Sequence, residues 1–243
     1  MELAGKIALV TGAAKRVGKD IALGLAREGM HLAVHYHRSA AEAARTTEEI
    51  AALGVRASRI QGDLSNEESV AMSFTQIEQE FGGLDVLVNS AGIIQKARFM
   101  ELSAPDWEHN LRVNLTGPFL CIQRAARMMQ ARGGGAIVNV SDIAAVKPWT
   151  VYAAQSVSKA GMNMLTKVAA RALAPSIRVN AVMPGPVVKA EEMPDEEWDR
   201  YTRRLPLKRA GSGEDVVQAV IFLLKNDFIT GVTLAVDGGN LLV

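Results

Sequence analysis

Short apolar runs alternate with helical patterns along the whole chain, and that alternation leaves few architectures open. Lys6–Thr11, His31–Tyr36, Val55–Gln61, Leu84–Asn89, Ala136–Val140, Ile177–Val182 and Val232–Val236 read as strands. Val17–Glu28, Ala40–Leu53, Asp106–Gln130, Val151–Leu173 and Gly213–Lys225 read as helices. Ser65 with Glu68 spells a capping box before one more helix that reaches Phe81. The strands are mostly continuous apolar runs, the pattern of a sheet covered on both faces. Strand–helix alternation with right-handed crossovers then leads to an α/β fold, a doubly wound parallel sheet of about seven strands with helices on both faces. No linker or internal repeat divides the chain, so residues 1–243 are expected to form a single domain. A Pro- and charge-rich insertion around 185–212 follows a strand end, where it is placed to cover a substrate.

The first strand runs into Thr11-Gly12-Ala13-Ala14-Lys15-Arg16-Val17-Gly18. Gly12 permits a tight turn, Gly18 lets the helix pack close to the sheet, and the free amides at the helix start can hold a phosphate. This is the Rossmann-type arrangement for a dinucleotide, although the middle glycine of G-x-G-x-x-G is replaced by Arg16. The second strand ends in Tyr36-His37-Arg38-Ser39 with no Asp or Glu at its tip. An acid there would suit the free ribose of NAD, whereas a basic residue accommodates the 2′-phosphate of NADP. Arg16 and Arg38 are both forked donors for that phosphate, so NADP(H) is the expected cofactor. His35 and His37 share a strand face, but no companions at metal-ligand spacing accompany them, and a metal site is not expected.

The net charge of +1 gives no overall field toward nucleic acid or an acidic membrane. The single cysteine, Cys121, sits among apolar residues and is expected to be a buried, inert thiol. The N-terminus lacks the character of a secretory signal, and no apolar run reaches the length needed to span a bilayer, so a cytoplasmic protein acting on a small molecule is expected.

Taken together, Thr11–Gly18, Asp63-Leu64, Asn89-Ser90-Ala91-Gly92, Asn114, Ser156–Lys159, Pro184-Gly185 and Asp237-Gly238-Gly239 resemble the short-chain dehydrogenase/reductase family over nearly the whole chain. Thr11–Gly18 and the stretch His35–Ala43 look like the pteridine reductases within it. The resemblance implies that Asp63 and Leu64 flank the adenine and that Asn89, Ser90, Ala91 and Gly92 pass along the ribose. Pro184, Gly185 and Val187 would border the nicotinamide. Asn114 would hold a helix kink and a proton-relay water, and Lys159 would bond the nicotinamide ribose. Asp142 stands where most relatives carry serine, as it does in pteridine reductases. Where those enzymes often place an aromatic ring to stack on the pterin, this chain has Ile93, so a pterin and another carbonyl or imine compound both stay open as substrate. Relatives pair through their long helices, which implies a homodimer or homotetramer; the apolar ending Leu241-Leu242-Val243 also suits a subunit contact.

The family's central pair is a tyrosine and a lysine four residues apart, on one helix face. Counting four back from Lys159, or thirteen on from Asp142, reaches Gln155. A glutamine amide can donate a hydrogen bond but has no proton to surrender. The expectation is therefore an NADPH-dependent reductase whose proton donor is replaced, either by design or in nature. A cofactor-binding regulatory protein without turnover is the alternative, and Asp142 or Tyr152 acting as substitute donor is a third.

Overall fold

The computed structural model describes residues 1–189 and 193–243. Seven parallel strands form one sheet: β1 (Ile7–Val10), β2 (His31–Tyr36), β3 (Ala57–Gln61), β4 (Val86–Asn89), β5 (Gly135–Val140), β6 (Ile177–Pro184) and β7 (Thr233–Val236), in the spatial order β3-β2-β1-β4-β5-β6-β7. The order reverses at β1. The chain steps outward through β2 and β3, then returns to place β4 on the other side of β1, with Val10 paired to both Val34 and Val88. Diverging crossovers leave a crevice there, at the carboxyl ends of the strands.

The inner strands are buried on both faces because each face meets helices, whereas the edge strands β3 and β7 are only partly covered. On one side Val10, Val34 and Val88 pack with Ile21 and Leu25 of α1 (Arg16–Arg27) and with Val216, Val220 and Leu224, which lie on the last helix. On the other side Leu9, Leu87 and Ile137 meet Phe74 and Ile77 of α3 (Glu67–Phe81) and Ile122 and Met129 further along. Burying a side chain of this size contributes about 1.5–3 kcal/mol. Helix α2 (Ala40–Ala51) completes the first half. Cys121 lies in the second of these cores, where burial pushes its thiol up to about 12.

Three local expectations are corrected. Helix α3 is capped by Asn66, whose side chain accepts from the Ser69 amide at 2.9 Å, and not by Ser65. The Ser65 hydroxyl is instead taken by Asp63 at 2.7 Å. The helix expected over 106–130 is three segments: α4 (Ala104–Leu111), a π-helical turn (Arg112–Thr116) and α5 (Gly117–Ala131). Asn114 explains the break. Its side chain bonds both the amide and the carbonyl of Ile93, at 2.8 and 2.9 Å, and holds the widened turn against the loop after β4. The insertion contains a short helix, α7 (Asp195–Thr202), after α6 (Ala153–Leu173); residues 190–192 of it lie outside the described part. Helix α8 (Gly213–Lys225) leads to β7 and begins with a full capping box between Ser212 and Asp215. No described helix is long and apolar enough to cross a membrane.

Candidate active site

A cleft of about 550 Å³ runs along the carboxyl ends of the strands, as the topology requires. Its first wall is the turn between β1 and α1. Gly12 has φ +65, and a Cβ there would come within 2.8 Å of Ala91 Cα. A Cβ on Gly18 would lie 2.3 Å from the Gly12 carbonyl oxygen. These two glycines let three backbones meet. Thr11 Oγ1 fastens them by accepting from the amides of Ser90 and Ala91, both at 3.0 Å.

Gly12, Arg16 and Val17 line this part of the cleft. Arg16 has φ +55, the left-handed region that a glycine would occupy without penalty. For arginine that conformation costs about 1–2 kcal/mol. His37, Arg38 and Ser39 line the adjacent stretch at the tip of β2, as do Asp63 and Leu64 after β3. Burial opposes the charge of Asp63, but the hydroxyl and amide of Ser65, aided by His37, outweigh it and hold the carboxyl below its usual range. Ser90, Ala91 and Gly92 follow, and Pro184, Gly185 and Val187 close the far end.

Asn89 does not line the cleft. It is buried beneath, donating to Asn139 Oδ1 at 2.9 Å, so it supports the floor. Asn114 is also buried behind the wall. Its Nδ2 lies 2.9 Å from Gln155 Oε1 and 3.1 Å from Asn110 Oδ1.

Asp142, Gln155 and Lys159 come together where the spacings put them. Asp142 caps a short turn after β5, accepting from the Ala144 amide at 2.7 Å through Oδ1. Its Oδ2 is 3.5 Å from Gln155 Nε2. The glutamine amide is thus held between Asn114 on its oxygen and Asp142 on its nitrogen. Lys159 donates to the Val140 carbonyl at 2.7 Å. Burial lowers its pKa, and the Asp142 charge works against that shift. Tyr152 stands at the start of α6 with its ring edge-on to Trp149, centroids 5.7 Å apart, and is not among the residues lining the cleft.

Sequence reasoning missed His35 as part of the site. It is 2 % exposed, and its Nδ1 accepts the Gly12 amide at 3.3 Å. The carbonyl of His35 accepts from Ala13 at 2.9 Å. The signal was the β1–β2 register, which seats residue 35 beside the glycine turn. His109 and Val113 also line the cleft; they face it from the segment that periodicity reads as one helix, beside the break that the family resemblance implied at Asn114.

The chain is similar to known proteins over nearly its whole length. A family profile described as enoyl-(acyl carrier protein) reductase matches residues 12–240. The 3-oxoacyl-[acyl-carrier-protein] reductase FabG of Staphylococcus aureus is 39 % identical over 239 residues, covering 96 % of this chain and 97 % of that protein. The 3beta-hydroxysteroid dehydrogenase 1 of Eggerthella lenta is 36 % identical over 249 residues, covering 99 % and 95 %. The crystal structure of FolM alternative dihydrofolate reductase 1 from Brucella canis, complexed with NADP, superposes with a TM-score of 0.94 at 31 % identity, over 100 % of this chain and 96 % of that one.

Proposed function

Because the chain belongs to the short-chain dehydrogenase/reductase family of oxidoreductases, we propose that it is an NADPH-dependent reductase of pteridine-reductase type acting on a carbonyl or imine of a small molecule. One observation carries the cofactor choice. Arg16 and Arg38 line one cleft together with Ser39, and the tip of β2 carries no acid. That arrangement suits a 2′-phosphate. The FolM relative was solved with NADP, which supports the same reading. Reduced nicotinamide supplies a hydride when bound, and the residues lining the cleft fit such a cofactor.

In this reading the amides at the start of α1 hold the pyrophosphate, Asp63 and Leu64 flank the adenine, and Ser90 to Gly92 follow the ribose, with Asn89 supporting them from below. Lys159 holds the nicotinamide ribose. Pro184, Gly185 and Val187 border the ring. Asn114 fixes the Gln155 amide, and Gln155 with Asp142 orients the substrate. The insertion over 185–212 covers it. Phe119 on α5 and Val157, Met164 and Val168 on α6 are exposed apolar residues, which supports pairing of subunits through these helices. A cytoplasmic setting fits a buried free thiol and a nicotinamide cofactor.

The cofactor assignment is tested by Arg16→Gly and Arg38→Ala. Each removes a charged donor worth about 1.5–3 kcal/mol, so the affinity ratio of NADPH to NADH should fall about tenfold or more per variant, measured by fluorescence titration. Arg16→Gly carries a second expectation of opposite sign. Relief of the left-handed strain should leave the melting temperature unchanged or higher. An undiminished preference for NADPH in both variants would overturn the assignment.

A further inference from the structure

Gln155 presents an amide at the place where reduction of a neutral carbonyl calls for an acid. Its oxygen is occupied by Asn114 at 2.9 Å, and its nitrogen lies 3.5 Å from Asp142. An amide in this position can hold a ligand but keeps its protons. Asp142 has one oxygen committed to the Ala144 amide; among the described residues the other has the long Gln155 contact alone, and Asp142 lines the cleft. Ile93 and Val113, which adjoin Asn114, add apolar surface to the same cleft. The neighbouring cation, Lys159, is turned onto the Val140 carbonyl at 2.7 Å. His109 also lines the cleft, and the Tyr201 phenol feels the Asp142 charge but is engaged by Asn240 at 2.5 Å and is not among the lining residues.

We propose that the cleft takes an iminium cation, an apolar ring carrying a C=N⁺ bond, in preference to a neutral ketone. The inference builds on the reductase reading and names the substrate class for it. A hydride delivered to the iminium carbon forms the new C–H bond. The π pair of C=N withdraws onto nitrogen and cancels its charge, so no proton enters or leaves. A ketone given the same hydride becomes an alkoxide, which needs the proton that Gln155 cannot supply. Asp142 pairs with the cation before the reaction, and that attraction disappears in the neutral amine, which favours product release.

The test compares an N-methyl dihydroisoquinolinium salt with tetralone, a neutral ketone on a similar bicyclic skeleton. Calorimetry in the presence of NADP⁺ should give about tenfold tighter binding of the cation, and Asp142→Asn should abolish that preference. With NADPH, turnover of the iminium should exceed that of the ketone by roughly a hundredfold, with no solvent deuterium isotope effect. NADPH binding without preference for the cation, or equal turnover of the two compounds, would overturn this inference and leave the reductase reading standing. Failure of NADPH to bind in a separate fluorescence titration would remove both.

Discussion

Gln155→Tyr is expected to raise turnover on a neutral carbonyl substrate by about a hundredfold or more. The position lines the cleft one helical turn before Lys159, and the buried lysine charge would favour ionisation of a phenol placed there. Asn114, which holds the present amide at 2.9 Å, is already seated to position the new hydroxyl or a water beside it. Positioned proton transfer typically contributes 10²–10⁴-fold, so about a hundredfold is the low end of the expected gain. The measurement is NADPH oxidation at saturating substrate for both proteins. Equal turnover would show that the amide is not what limits the reaction. Tight NADPH binding with no recovery in the tyrosine form would favour a cofactor-binding regulator in place of an enzyme.

The second large effect concerns acid. His35 is buried against the phosphate-binding turn, and burial drives its pKa from an ordinary 6.5 down to about 4. The Gly62 carbonyl and Asp63 pull the value up and His37 pulls it down, but burial dominates. The unfolded chain therefore binds a proton at His35 that the folded chain refuses between about pH 6.5 and 4. Stability from this group is complete above 6.5 and falls as pH drops through that window, by about 3 kcal/mol in all. Denaturant midpoints followed from pH 7 to 4 should show the decline. His35→Asn retains an acceptor for the Gly12 amide and has no titrating proton, so its midpoint should fall less steeply over the same range. Parallel curves for the two proteins would refute the assignment.

Both effects bear on what could be read from residues alone. The inner strands were legible because each is sealed between helices and so stays mostly apolar along its length; β3, at the edge, carries Ser58, Arg59 and Gln61 and reads more weakly. Several ends were read one or two residues long, as at Lys6 and Thr11, since apolar character outlasts the hydrogen-bonded ladder, whereas β6 was read two residues short because it runs on through Met183 to Pro184. The turn from Thr11 to Gly18 was legible because steric demands fix glycine at two of its positions. Periodicity did not show the break in the segment from 104 to 131, which only the family resemblance implied at Asn114, because the π turn is imposed from outside: Asn114 satisfies the backbone of Ile93, a contact that no helical periodicity encodes. Helix α7 is short and mostly polar, with Asp195, Glu196 and Glu197 in its first turn, so it carries no apolar stripe to announce it. Gln155 was located by two spacings that depend only on helical geometry and chain distance. The ties of its amide to Asn114 and Asp142 needed coordinates. His35 escaped notice because its role depends on strand register, and a histidine in an apolar strand reads equally well as filler.

The placement of β4 beside β1 has a kinetic consequence. Ile7 hydrogen-bonds to Asp85, 78 residues away, and every pairing in the sheet requires a crossover of similar kind. Closing such loops costs entropy before the contacts reward it, so assembly of the central pair is expected to be slow and late. The cleft lies across this pair. A nascent chain that has finished β1, α1 and β2 already holds the glycine turn and both arginines, yet it lacks the Ser90–Ala91 backbone that Thr11 secures. Competence to bind a dinucleotide should therefore appear as a late event in folding, together with the docking of β4, and cofactor added during refolding should act on the final step without hastening the early ones.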